Sequence, residues 1–208
     1  MRYDTKRIWD NKFKKNIKNQ QFNYFIKKEL AAFLKFLNKK DKLLDLGCGS
    51  GDKTNYLFNQ GFNVVGLDSS REAIKYAQKI FPNLNFYRQD AISTKFNSNS
   101  FDAIASIALF HCLLKEDRNK YVKEVNRILR PGGFLFQLVL SSEDETKISG
   151  KEIESKTFLQ SSGTPFHLFT EKELKEYFTN FNFIKLKLNK KRIKNLKVAV
   201  YTMVLRKK

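Results

Sequence analysis

Lys42-Leu43-Leu44-Asp45-Leu46-Gly47-Cys48-Gly49-Ser50-Gly51-Asp52 is an apolar run cut off by three glycines at alternate positions, with the helix-compatible segment Lys53-Thr54-Asn55-Tyr56-Leu57-Phe58 directly behind it. The pattern reads as strand, tight turn, helix. Glycine tolerates positive φ and lets a ligand lie directly on the backbone, so a nucleoside-sized ligand is expected at this turn. The spacing narrows its charge. A dinucleotide fingerprint is Gly-x-Gly-x-x-Gly, whose N–H groups and helix N-terminus receive a pyrophosphate. Here the spacing is Gly-x-Gly-x-Gly, Asp52 stands where the third glycine would fall, and Asp45 lies two residues before Gly47. Two carboxylates beside the turn repel a pyrophosphate and suit a ligand with an ammonium or sulfonium charge.

Downstream, short apolar runs alternate with helical patterns. Asn63–Asp68 is a strand closing on an acid, and Asp68 lies 21 residues past Gly47. That is near the offset of about 20 at which such folds place a carboxylate on ribose hydroxyls. Ser69 and Glu72 form a capping box for a helix running to Phe81. Leu84–Asp90 and Phe101–Ala108 are the third and fourth strands. Tyr121, Val122, Val125, Ile128 and Leu129 give a helix its apolar face, Pro131-Gly132-Gly133 stops it, and Phe134–Leu140 is the fifth strand.

The polar, weakly patterned stretch 141–168 is expected to be a loop forming part of an acceptor site, with Phe166, His167 and Phe169 as candidate lining. Thr170 and Glu173 cap a helix through Phe178. The last strands, 183–188 and 198–205, are separated by about nine residues, too few for a parallel crossover, so they pair antiparallel. Upstream, Trp9, Phe13 and Ile17 share a helical stripe within 5–19, and Phe22, Phe25, Ile26, Leu30, Phe33, Leu34 and Leu37 mark an amphipathic helix over 21–37. The expected fold is α/β: a Rossmann-like, seven-stranded, mostly parallel sheet with an antiparallel last strand and helices on both faces. Residues 1–41 would be a helical cap and 42–208 the main domain.

Two separated motifs, Asp45-x-Gly47-x-Gly49-x-Gly51 and Leu129-x-Pro131-Gly132-Gly133-x-Leu135, resemble those of the class I (Rossmann-like) S-adenosylmethionine-dependent methyltransferases of the small-molecule type. The resemblance covers 43–140 by motif and 170–207 by topology. It implies methyl transfer from S-adenosylmethionine to a small-molecule acceptor, leaving S-adenosylhomocysteine. It also assigns parts. Asp45 and the turn of Gly47, Cys48, Gly49 and Gly51 would hold the amino-acid portion, and Asp68 the ribose with Ser69 beside it. Asp90 and the N–H of Ala91 would hold the adenine, and Ile107 would wall the sulfonium. His111, after the fourth strand, reads either as a general base or orienting donor, or as a buried histidine without chemistry.

The net charge of +19 divides unevenly: +9 over residues 1–42, +10 over 183–208, and zero between. Basic ends of this kind bind RNA phosphates, or they reflect a lysine-rich composition with no partner. An RNA (tRNA) methyltransferase and a non-catalytic S-adenosylmethionine-binding module are therefore the alternatives. Two cysteines, Cys48 and Cys112, make no disulfide scaffold, and nothing is spaced as a metal site. No apolar run reaches the roughly 18 residues of a membrane span, and the N-terminus lacks a signal-like apolar core. A reducing cytoplasm is the expected setting.

Overall fold

Two helices, α1 (Thr5–Asn16) and α2 (Tyr24–Leu34), precede the strand-turn-helix unit of β1 (Lys42–Leu46) and α3 (Asp52–Asn59). The computed structural model describes residues 5–16, 24–148, 150–193 and 195–208; Ile17 and Phe22 of the apolar stripes lie outside them. The chain continues through β2 (Asn63–Asp68), α4 (Arg71–Ile80), β3 (Asn85–Arg88), β4 (Phe101–Ile107), α5 (Lys115–Ile128) and β5 (Leu129–Leu140). Three short strands follow, β6 (Lys151–Glu154), β7 (Thr157–Leu159) and β8 (Pro165–His167), then α6 (Glu171–Tyr177), β9 (Phe181–Ile193) and β10 (Leu196–Lys207).

The main sheet has the order β3-β2-β1-β4-β5-β10-β9. β1 pairs parallel with β2 and β4, β2 with β3, and β4 with β5, while β10 runs antiparallel to both neighbours. A strand central in a parallel sheet is covered on both faces, and Leu43, Leu44 and Leu46 are accordingly fully buried. One apolar core joins Leu44 and Leu46 to α5 and α6 through Tyr121, Val125, Leu174 and Phe178. The other joins Leu43 to α2 and α3 through Leu30, Phe33 and Leu57. Strand order reverses between β1 and β4, and open α/β sheets bind ligands at that switch point, beyond the carboxyl ends of the strands.

Four local readings change. The N-cap of α4 is Ser70, not Ser69: its side chain accepts from the Ala73 N–H at 3.2 Å. β5 begins at Leu129, so the Pro131-Gly132-Gly133 turn lies inside a strand whose register slips beside it. β9 and β10 are longer than expected, ending at Ile193 and beginning at Leu196, where nine connecting residues were expected. The stretch 141–168 is not wholly loop: β6, β7 and β8 form a small antiparallel sheet. Strands of three or four residues show too little alternation to register in the sequence.

Candidate active site

The glycine turn is pinned to β2. The N–H groups of Gly47 and Cys48 both donate to the Leu67 carbonyl, at 2.8 and 2.9 Å. The Gly49 N–H donates to Asp68 Oδ2 at 2.9 Å. All three glycines have positive φ, +81 at Gly47, +56 at Gly49 and +86 at Gly51. A Cβ on Gly47 would press on Leu109 at 3.1 Å, and one on Gly51 would meet Phe86 at 2.9 Å. The turn therefore stays thin enough for Gly47 and Gly49 to form the floor of a cavity of about 470 Å³.

That cavity runs along the carboxyl ends of the strands. Asp68, Ser69, Asp90 and Ala91 line one end, Ile107, Ala108 and Leu109 the middle, and His111, Leu140 and Phe166 the other. α1 supplies the outer wall through Lys6, Trp9, Lys12 and Phe13. The helix is fastened there by Asp10, whose Oδ1 accepts from Ser70 Oγ at 2.6 Å and from the Glu72 N–H at 3.4 Å. Burial works against the Asp10 carboxylate, but these bonds outweigh it and hold its pKa below the usual value.

Seven of the ten expected cofactor residues line this cavity: Gly47, Gly49, Asp68, Ser69, Asp90, Ala91 and Ile107. Asp45, Cys48 and Gly51 do not. Asp45 is fully buried behind the turn, where its Oδ2 accepts from Thr54 Oγ1 at 2.7 Å and ties β1 to α3. Its Oδ1 has no hydrogen-bond partner among the described residues, and burial pushes its pKa up. The acid that faces the cavity beside the turn is Asp52, which accepts from Ser50 Oγ at 2.5 Å. Asp68 accepts from Gly49 through Oδ2 and from the Ser70 N–H through Oδ1 at 2.9 Å. A carboxylate oxygen has two lone pairs, so capacity remains for two ribose hydroxyls. Asp90 is paired with Lys6 at 2.8 Å and accepts from the Ile92 N–H at 3.2 Å. The Lys6 pair is exposed and correspondingly weak, so an incoming amine can displace it.

The residues present thus fit a nucleoside with a cationic tail: a thin glycine floor, acids at the ribose and adenine positions, and Asp52 by the turn. Lys53, also on the wall, moderates that field.

His111 is buried, and its Nδ1 accepts from the Leu140 N–H at 3.2 Å. The ring proton therefore sits on Nε2, which makes the histidine a donor. Burial, with the charges of Lys147, His167 and Lys12, pushes its pKa down to about 3. It stays neutral through the physiological range, and with Nδ1 taken up by the Leu140 N–H the ring is left with its Nε2–H as a donor. A linkage consequence follows. Between about pH 6.5 and about 3 the unfolded chain protonates this ring and the native one does not, so stability is lost as pH falls through that window. Urea denaturation at pH 5, 6 and 7 is expected to show wild type gaining on His111→Phe as pH rises, by up to roughly 1.4 kcal/mol per pH unit. A constant difference between the two proteins would contradict the assignment.

Of the three candidates Phe166, His167 and Phe169, Phe166 lines the cavity. Phe169 is stacked on Phe110 at 5.0 Å in the core, and His167 is buried with its Nδ1 2.9 Å from Thr157 Oγ1. Lys12 and Lys147 are wall residues that sequence reasoning did not single out. Among the described residues, no group of three or more His, Cys, Asp or Glu is placed to hold a metal, and no helix is long and apolar enough to cross a membrane.

Residues 44–137 match the family described as a methyltransferase domain. An uncharacterized methyltransferase of Schizosaccharomyces pombe is 37% identical over 101 residues, 47% of this chain and 39% of that protein. A tRNA (carboxymethyluridine(34)-5-O)-methyltransferase of Arabidopsis thaliana is 32% identical over 136 residues, 61% of this chain and 32% of that protein. The chain thus spans well under half the length of these two relatives. Among solved structures, a SAM-dependent methyltransferase of Methanosarcina mazei superposes with a TM-score of 0.75 at 26% identity, covering 85% of this chain and 96% of that one.

Proposed function

We propose, starting from the chain's membership of the class I, Rossmann-like S-adenosylmethionine-dependent methyltransferases, that it transfers a methyl group to a small-molecule acceptor bound under α1. One observation carries the reading: a single cavity joins the glycine turn, Asp68 and Asp90 to the pocket of Trp9, His111 and Phe166. Its volume falls in the range of about 300–1,000 Å³ common for small-ligand sites.

When bound, the cofactor supplies a methyl group on a sulfonium, a good leaving group for in-line displacement. The chain's own part is alignment and exclusion of water, which can account for much of the rate without a base. Gly47, Gly49 and Asp52 would receive the amino-acid end, Asp68 the ribose, and Asp90 with Ala91 the adenine. Ile107 and Leu109 would bound the reacting region, α1 would close it from solvent, and His111 would orient the acceptor through its Nε2–H.

The second reading, tRNA methylation, draws on the Arabidopsis relative and on the basic hairpin of β9 and β10, where Lys191 and Arg192 are exposed. Methyl-labelled S-adenosylmethionine offered with a low-molecular-weight cell extract and, separately, with bulk tRNA tests both. Label is expected in the small-molecule fraction. Label in tRNA, with binding that weakens steeply with salt, would favour the second reading.

A further inference from the structure

On the cavity wall Lys6 and Lys53 stand among the acids, whereas two further lysines stand apart from them. Asp52, Asp68 and Asp90 lie toward the glycine turn, while Lys12 and Lys147 approach the opposite end around Phe166. The Lys12 ammonium lies 6.0 Å from the Phe166 ring centroid and 4.3 Å from that of Trp9. The Lys147 ammonium lies 5.4 Å from the same Phe166 ring. Among the described residues, no carboxylate comes within 4.0 Å of either, whereas Lys6 on the same wall is paired with Asp90. Asp117, the remaining wall acid, is engaged by Lys120.

The backbone beneath both lysines is anchored. The Lys147 carbonyl accepts from Gln160 Nε2 at 2.9 Å. The turn before it is tied by buried Asp144 to the N–H groups of Thr146 and Ala199, at 2.9 and 2.8 Å. Lys12 rides on α1, which Asp10 fastens to α4. Two ammonium groups approaching one aromatic ring without a counter-charge repel each other, and an anionic ligand between them would relieve that cost. Burial and the Lys147 charge already press the Lys12 pKa downward. Phe166, Trp9 and His111 line the same space, so an aromatic surface stands beside the two ammonium groups.

We propose that the methyl acceptor is a small planar molecule bearing a carboxylate, which Lys12 and Lys147 hold together while its ring lies on Phe166. The proposal rests on the methyl-transfer reading and deepens it. The carboxylate is an anchor: paired with two ammonium groups it is a poor nucleophile, so the S–CH3 bond breaks toward another nucleophilic atom of the ring system or its substituents, leaving neutral S-adenosylhomocysteine, and the proton of that atom is released to water.

Calorimetry on protein saturated with S-adenosylhomocysteine tests this with two matched pairs, benzoate against benzamide and 4-hydroxybenzoate against 4-hydroxybenzamide. The acid is expected to bind about tenfold more tightly than its amide in at least one pair, the scale of a charge-assisted contact. Lys12→Gln and Lys147→Gln should each remove most of that preference, and Lys172→Gln, on an exposed face of α6, should keep it. S-adenosylhomocysteine affinity, measured first on the same samples, separates the two failures. If it is absent, the methyl-transfer reading fails. If it is present with no acid preference in either pair, or with a preference that both glutamine variants retain, only this proposal is overturned. Displacement of the acids by a tRNA anticodon stem-loop that loses affinity in both variants would also overturn it, in favour of RNA.

Discussion

Asp68→Ala is expected to weaken S-adenosylhomocysteine binding by about 1–3 kcal/mol, the cost of losing charge-assisted hydrogen bonds. The carboxylate closes β2 and already accepts from Gly49 and Ser70. It therefore shapes the turn as well as offering its free lone pairs to the ribose. Alanine leaves two N–H groups without their acceptor, so a stability loss accompanies the affinity loss. Asp68→Asn separates the effects: it keeps one acceptor oxygen and the side-chain volume, but its NH₂ faces a backbone N–H and cannot accept. Its melting temperature should lie closer to wild type, with affinity still reduced. Unchanged affinity in both variants would remove Asp68 from the site. Burial pushes the Asp68 pKa up, against its backbone hydrogen bonds and Lys53, so affinity should also fall in acid before that of an exposed carboxylate site would.

Gly51→Ala should cost about 2–4 kcal/mol in folding stability, combining left-handed backbone strain with overpacking. Its φ is +86, and the added Cβ would stand 2.9 Å from the Phe86 ring and 3.0 Å from the Ala77 methyl. Gly61→Ala is the control. At φ +84 it has the same strain, with only the Lys39 side chain near, at 3.9 Å. The difference between the two variants in urea denaturation isolates the contacts with Phe86 and Ala77. Equal losses would show that close packing of α3 and α4 on β3 does not explain the third glycine.

The sheet was legible because its signals are local and redundant. The glycine turn, Asp68 at the end of β2 and the short link before β10 each constrain topology on their own. Finer features failed for identifiable reasons. The Ser69–Glu72 spacing pointed to the wrong serine: Ser70 accepts from the Ala73 N–H, and its hydroxyl is also tied to Asp10, 60 residues away, a contact no local pattern encodes. Asp45 belongs to the motif, but alternation along β1 turns its carboxylate onto Thr54, and Asp52 takes the cavity-facing place. His111 read ambiguously because its chemistry depends on the Leu140 N–H, 29 residues further on. Lys12 and Lys147 were hidden by abundance: among 40 basic side chains, nothing local marks the pair that meets over Phe166.

The central claim is that the cavity over Gly47 and Gly49 accepts a cationic nucleoside and rejects a diphosphate. Titration calorimetry of the wild-type protein with S-adenosylmethionine, S-adenosylhomocysteine and NAD measures this directly. The account predicts saturable one-to-one binding of both sulfur compounds and no heat from NAD. Saturable binding of NAD, with neither sulfur compound bound, would contradict it.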